Sequence, residues 1–402
     1  IIKRFNNHNQ GDEKEIIITG YWVSKWCGFL YDQSWTSVIH ITRLILFLIL
    51  TILHILIAVL LYEDMSLLEK VLITNYAIVY INCLFMVLPL IYNSKKNQLL
   101  CSIIKTEFQE AKIQFSPKQL EVKKYTKRFV RNFAYNVAFY LYGSLIINFI
   151  RRYLFEGVSL KILPVNGWVP FELNSLIRYT FVFIFQIVAS ISGMSAHVGF
   201  LIIFVTHSVS LCEQFEILSI HIHETFKHVY FGETMECFEV NNNREKYIQF
   251  RLKYAVYQHG KLLQYFNLYQ EIYSMFLFIF ALGTGAMICT AVYVITDPMS
   301  SLSLVIVSFA CLLIPEIAII GIYCWFGQQV TNKYSYIQES VYNTPWYTQS
   351  VTTQKLLQNM LTACQRERIV KGGGLQQFSL LGLSELLQVS FSWFNVLNAI
   401  RQ

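Results

Sequence analysis

The chain has 402 residues, of which 54% are hydrophobic and only 14% charged. A soluble domain places roughly a quarter of its residues in Asp, Glu, Lys and Arg, so a water-facing globule is excluded and a lipid-embedded one favoured. The net charge of +7 points to an anionic membrane leaflet rather than to nucleic acid, because the basic residues lie between apolar spans.

Residues 1–37 mix charge with Asn and Gln and read as a polar tail without a signal peptide. A helix needs about 20 apolar residues to cross the hydrocarbon core. Seven segments qualify: 38–61, 71–92, 130–151, 176–208, 268–295, 301–326 and 379–400. Interruptions are few, chiefly His40, Arg43 and His54 in the first span, Arg178 in the fourth, Glu316 in the sixth and Glu385 in the seventh. Segment 93–129 carries Lys95, Lys96, Lys105, Lys112, Lys118, Lys123, Lys124, Lys127 and Arg128, whereas 62–70 has only Lys70 and 296–300 has no Lys or Arg. The excess of Lys and Arg marks the cytoplasmic side. The N-terminus is therefore cytoplasmic and the C-terminus, after seven crossings, extracellular. A G-protein-coupled receptor has the opposite orientation.

The inner segments are patterned. Leu211, Phe215 and Leu218 form one helical stripe, and Tyr254, Tyr257 and Leu262 suggest another. The fourth and fifth helices are thus expected to continue into the cytoplasm, with a turn near Asn241–Asn243. Segment 350–366 is expected to be helical, broken by Gly372, Gly373 and Gly374. The expected divisions are 1–208 for the tail and helices one to four, and 209–267 for cytoplasmic helical extensions. Residues 268–326 supply helices five and six, 327–378 a cytoplasmic anchor segment, and 379–402 the last helix. The fold class is an all-α membrane protein.

Other signals carry less. The nine cysteines are scattered, without a CxxC pair, and read as small buried hydrophobes. His221, His223, Glu224 and His228 are close in sequence but do not form HExxH. Lys371–Gly374 lacks the GKS or GKT of a phosphate loop. No metal, cofactor or catalytic constellation is expected, and the chain does not read as an enzyme. Glu316, after Pro315, is either functional or paired with a polar neighbour.

From Cys324 to the end the chain resembles the insect odorant receptor family. Phe326, Gly327, Gln328, Tyr342, Asn343, Trp346 and Tyr347 match one family block, and Lys355, Leu356 and Leu357 follow at the family spacing. Gly373, Gly374, Ser379, Leu380, Ser390, Ser392, Phe394 and Leu397 match the closing block. Phe391 and Trp393 stand where Tyr is usual, and Asn395 where Thr is usual.

The resemblance implies a ligand-gated, nonselective cation channel in the plasma membrane of an olfactory sensory neuron. Four subunits would surround one pore lined by the last helix, as a heterotetramer with the insect odorant co-receptor. Co-receptor subunits carry a large insertion in the second cytoplasmic loop. Here that loop is about 55–60 residues by the span edges, which suggests the tuning, odorant-binding subunit. Alignment with the family's end pattern places Val396, Ala399 and Ile400 at the gate and pore lining, with Ser392 and Asn395 on the same less apolar stripe.

The resemblance also implies a volatile-odorant pocket in the outer half of the membrane, among the second to sixth helices. The candidates are Tyr76 and Tyr80; Tyr140, Gly143 and Ile147; Phe181, Ile184, Phe185 and Val188; and Thr284, Met287 and Ile288. A neutral volatile is the expected ligand, and cations and membrane lipid the other partners. A gustatory-type channel of the same superfamily and a secondary transporter are the rival readings. The transporter lacks support from internal repeats.

Overall fold

The computed structural model describes residues 34–60, 67–104, 115–156, 163, 174–227, 237–296 and 302–401. The described helices are α1 (Ser34–Leu60), α2 (Leu67–Tyr92), α3 (Ser94–Ile103), α4 (Pro117–Glu156), α5 (Leu176–Lys227), α6 (Cys237–Ile295), α7 (Leu302–Tyr342), α8 (Val351–Cys364) and α9 (Leu380–Arg401). A two-stranded antiparallel hairpin, β1 (Lys371–Gly372) and β2 (Gln376–Gln377), precedes α9.

Each of the seven expected spans falls on one helix: α1, α2, α4, α5, α6, α7 and α9. Five of these are long and apolar enough to cross a membrane by length and composition alone. In α1 and α2 the apolar stretches are shorter, Ile41–Leu56 and Ile73–Leu88, but they sit in helices of 27 and 26 residues. At 1.5 Å per residue those helices are about 40 Å long, enough for a hydrocarbon core of about 30 Å. On α1, Ile41, Ile45, Leu48, Ile49, Ile52 and Ile55 are all exposed, the face that lipid would cover.

Helix α4 begins well before its apolar stretch. Ser116 and Gln119 exchange side chain-to-backbone hydrogen bonds across the first turn, at 3.0 and 3.4 Å, and Pro117 takes the first helical position. Gln119 also donates to the Ile217 carbonyl of α5. The extensions of α5 and α6 are continuous with their membrane segments, so these helices run to 52 and 59 residues, about 80 and 90 Å. The expected turn at Asn241–Asn243 is not there: α6 already starts at Cys237. Asn costs a helix only a few tenths of a kcal/mol, which flanking periodicity can override. The stripe on α6 is also shifted. Leu252, Ala255, His259 and Leu262 are buried, while Tyr257 is exposed.

The three longest helices meet through aromatic rings. Phe204 of α5 packs edge-on against Tyr273 of α6 and Tyr323 of α7, with centroids at 5.2 and 4.8 Å. Phe200, Phe276 and Phe280 extend the same stack. Offset and edge-to-face pairs of this kind add about 0.5–1.5 kcal/mol each beyond area burial. Two hydroxyls within the stack are satisfied across α5 and α6: Tyr265 with His207 Nδ1 at 2.7 Å, and Tyr269 with Ser208 at 2.8 Å.

Beyond this stack the inner ends of α4 to α7, with α8 and the hairpin, form the anchor. Ser350 caps α8 by accepting from the Thr353 amide. Lys333 pairs with Glu216 at 2.7 Å. Tyr334 donates to the Ala363 carbonyl at 3.1 Å, and the His259 ring stacks on it. The hairpin docks on α6, where Gln270 both donates to the Lys371 carbonyl and accepts from its amide, and Gly373 donates to the Ser274 carbonyl at 2.9 Å. Gly373 and Gly374 have φ of 58° and 74°, the left-handed region that side chains disfavour.

Gly327 has a different reason. A Cβ there would overlap the Phe378 carbonyl oxygen, so this glycine lets the backbone leading into α9 lie against α7. Gly327→Ala is expected to lower the melting temperature and surface yield, at about 1–3 kcal/mol for forced overpacking. Gly321→Ala, six residues earlier with open space around it, is expected to leave both unchanged; equal behaviour of the two would refute the close approach.

The anchor also predicts an acid response. Burial, assisted by Arg368, pushes the His259 pKa down to about 4. Stability from the neutral ring is full above the unfolded value of about 6.5 and is lost as pH falls toward 4. Glu213, pushed up to about 7 by burial, acts in the opposite direction, so the comparison is made on one residue. Between pH 7 and 5, His259→Gln is expected to lose about 2 kcal/mol less than the parent chain, read from denaturation of the detergent-solubilised protein.

Candidate functional site

Outward of the aromatic stack the bundle opens into a cavity of about 120 Å³. Helix α2 lines it with Tyr76, Val79, Tyr80 and Cys83, and α4 with Leu141, Ser144, Leu145, Asn148 and Phe149. Helix α5 contributes Ala189, Ser190, Gly193, Met194 and His197, and α7 Pro315, Glu316 and Ile319. For scale, an apolar cavity of about 150 Å³ admits benzene. The lining is mostly apolar with a few polar groups, the composition of a small-molecule site.

Each helix presents its lining for a local reason. On α2, Tyr76, Tyr80 and Cys83 share a face at helical spacing, and the His54 ring of α1 packs behind Tyr80 at 5.1 Å. On α4, Leu141, Ser144, Leu145 and Asn148 follow one face. Tyr142 pins that face to α5 by donating to Ser195 at 2.8 Å, while Ser195 donates to the Ile191 carbonyl at 2.7 Å. On α7, Pro315 cannot donate its backbone N–H and loosens the helix where Glu316 enters the cavity wall.

The two most polar groups of the lining face each other. Glu316 Oε1 lies 3.7 Å from His197 Nε2, and both residues are buried. That distance is too long for a hydrogen bond. Glu316 Oε2 and His197 Nε2 are both buried with no hydrogen-bond partner. The other ring nitrogen of His197 is engaged: Nδ1 is 3.1 Å from the Gly193 carbonyl and 3.6 Å from Cys83 Sγ.

Among the residues expected from sequence, Tyr76 and Tyr80 line the cavity. Gly143 does not, and a Cβ there would meet open space rather than a packed neighbour. Tyr140 and Ile147 are exposed on the outer surface of α4, and Phe181, Ile184 and Val188 on that of α5. Phe185 is half-buried against the core. Thr284 and Met287 are fully buried on α6 and Ile288 is half-buried, and α6 contributes no lining residue. On α4 and α5 the expected faces, Phe185 apart, are therefore rotated toward the outer surface of the bundle. One residue along a helix turns the side chain by about 100°, and the cavity face begins one position on, at Leu141, Ser144 and Asn148. The missed signal is polarity. Ser144, Asn148, Ser190, His197 and Glu316 all interrupt apolar spans, and polar groups inside a membrane are rarely idle.

The last helix has two faces. Leu386, Ser390 and Phe394 are buried, packed toward α6, where a Cβ on Gly285 would meet Ser390 Oγ at 3.2 Å and Leu386 at 3.4 Å. The opposite face presents Glu385, Gln388, Ser392, Asn395, Val396 and Ala399, all exposed in the single chain. The Ile400 side chain lies outside the described residues. A stripe this polar is unfavourable against lipid and calls for water or another subunit.

Of the histidine-rich run, His221 is held by Arg251: its Nδ1 accepts from the guanidinium at 3.0 Å and its Nε2 donates to the Arg251 carbonyl at 3.2 Å. His223 is exposed and Glu224 half-buried, and His228 lies outside the described residues. Among the described residues no group of three His, Cys, Asp or Glu could hold a metal ion.

Known proteins resemble this chain over most of its length. Residues 64–391 match the family model described as the 7tm Odorant receptor. Odorant receptor 10 of Aedes albopictus is 21% identical over 336 residues, 83% of this chain and 85% of the relative. Odorant receptor 22c of Drosophila melanogaster is 20% identical over 167 residues, 42% of this chain and 40% of that protein. The fold is that of the insect olfactory receptor OR5 from Machilis hrabei, with a TM-score of 0.78 at 16% identity, covering 95% of this chain and 99% of that one. The same receptor solved in complex with eugenol matches with a TM-score of 0.75, also at 16% identity, covering 96% of this chain and 100% of that one. A seven-helix membrane bundle with a helical anchor, matched by the family model over most of its length, places the chain in the insect odorant receptor family.

Proposed function

We propose that the chain is the tuning subunit of an odorant-gated, nonselective cation channel, assembled with the insect odorant co-receptor in the plasma membrane of an olfactory sensory neuron. The observation that carries this reading is the cavity among α2, α4, α5 and α7, largely apolar and sized for a small volatile. The short connection between α5, ending at Lys227, and α6, starting at Cys237, favours a tuning subunit over one with a large insertion there. The exposed polar stripe of α9 supports a water-filled pore built from several copies of that helix. Ser392 and Asn395 would line it, and Val396 and Ala399 would narrow it, with Ile400 next in line by spacing. Val396 is 60% exposed in the single chain, so its side chain is free to meet its equivalents and close the pore by excluding water.

Binding in the cavity is coupled to the pore through α2 and α6. Helix α2 lines the cavity and packs on α6, and α6 in turn carries α9. A ligand that prefers one arrangement of this stack shifts the population toward it.

The test is whole-cell current from cells expressing the chain alone or with the co-receptor, against small volatiles. Odorant-evoked cation current only on co-expression is the expected result; radiolabel uptake without current would instead favour a transporter. Ser144→Leu, which fills the cavity, is expected to reduce the evoked current at least tenfold at unchanged surface expression. Tyr140→Leu, on the outer surface of α4, is expected to leave it unchanged. Val396→Ser is expected to raise basal current or alter ion selectivity, and no change in either would remove Val396 from the gate.

A further inference from the structure

The facing pair Glu316 and His197 bears on what the cavity accepts. His197 Nδ1 lies 3.1 Å from the Gly193 carbonyl, an acceptor, so Nδ1 carries the proton and donates. A neutral imidazole protonated on Nδ1 has a lone pair on Nε2. That lone pair looks toward Glu316 Oε1 at 3.7 Å. With Glu316 ionised, two acceptors face each other, and neither Nε2 nor Oε2 has a donor within hydrogen-bond distance in the protein. Burying such groups unpaired is unfavourable. Among the lining hydroxyls Ser144 is committed elsewhere, donating to the Leu141 carbonyl at 2.8 Å. Apart from Asn148, Ser190 and the Cys83 thiol, the rest of the wall is apolar or aromatic, with Tyr76, Tyr80, Leu141, Leu145 and Met194 prominent.

We propose that this cavity selects a compact ligand with an apolar body and a hydrogen-bond donor, best of all a small aliphatic amine, whose donor group bridges the Glu316 carboxylate and His197 Nε2. The assignment rests on the cavity being the odorant site and narrows the ligand class of that site. A protonated amine suits the position for three reasons. Its N–H groups satisfy both acceptors, since an ammonium carries up to three donors and no lone pair. Its charge compensates a carboxylate buried in the membrane span. The aromatic rings of the wall attract the ammonium through their π-faces, and its alkyl body fills the apolar remainder. An alcohol provides one donor and no charge, and a ketone or ester provides none. The volume of about 120 Å³ restricts the body to about the size of a single six-membered ring.

Cyclohexylamine, cyclohexanol and cyclohexanone share one skeleton and differ only in the polar group. Binding of each to the purified full-length chain is measured by isothermal titration, in parallel with evoked current on co-expression with the co-receptor. The amine is expected to bind at least tenfold tighter than the ketone, with the alcohol between them. Glu316→Gln is expected to erase the preference for the amine while leaving the melting temperature near that of the parent. Equal affinity for amine and ketone, no binding by any of the three, or an amine affinity unchanged in a folded Glu316→Gln protein would each overturn the proposal. The parent-chain comparison needs no variant, so misfolding cannot mask the answer. Amine binding that depends on Glu316 but evokes no current would uphold the ligand class and contradict the channel reading. Current evoked by the ketone as strongly as by the amine would do the reverse.

Discussion

The ring stack that joins α5, α6 and α7 is the contact on which the rest of the bundle depends. Phe200, Phe204, Tyr269, Tyr273, Phe276, Phe280 and Tyr323 are all fully buried, and they lie where the membrane segments pass into the anchor. In lipid there is little hydrophobic gain from bringing helices together, so association relies on close packing and interhelical hydrogen bonds. The stack supplies both, through edge-to-face rings and through Tyr265 and Tyr269 bonded to His207 and Ser208. Inward of it the helices stay tightly packed into the anchor; outward of it they diverge enough to leave a cavity.

Residues that match the family's blocks sit at close contacts in the anchor and the last helix, and none of them lines the cavity. Gly327 lets the Phe378 backbone approach α7, Gly373 and Gly374 turn the hairpin, and Ser390 meets Gly285 where α9 rests on α6. Each position tolerates few side chains: at Gly374 because its φ is positive, and at the others because backbone or a closely packed neighbour occupies the space. Positions such as Ser144, Asn148 and Ser190 meet a cavity, so their side chains can vary without disturbing a backbone contact.

Much of the architecture is legible in the sequence, because span length and loop charge are set by the bilayer and its potential rather than by packing detail. The continuation of α5 into the cytoplasm is likewise legible, since Leu211, Phe215 and Leu218 repeat at helical spacing and are buried. The cavity is harder to read. A lipid-facing side chain and a cavity-facing one are both apolar, so the periodicity of Tyr140, Gly143 and Ile147, or of Phe181, Ile184 and Val188, does not say which way the stripe points. Only polar interruptions carry that phase, and Asn148, His197 and Glu316 are the residues that do. The start of α6 was hidden for another reason: a run of asparagines signals a turn locally, but a long helix can carry it.

On the proposed reading, ligand binds inside the bundle among α2, α4, α5 and α7. A cryo-electron microscopy map of the chain in its channel assembly with bound odorant tests it most directly. Ligand density within hydrogen-bonding reach of Glu316 and His197, enclosed by Tyr76, Tyr80 and Asn148, is the predicted result. Ligand density on the outer surface of α4 and α5, against Tyr140, Phe181 and Ile184, with the interior empty, would contradict it.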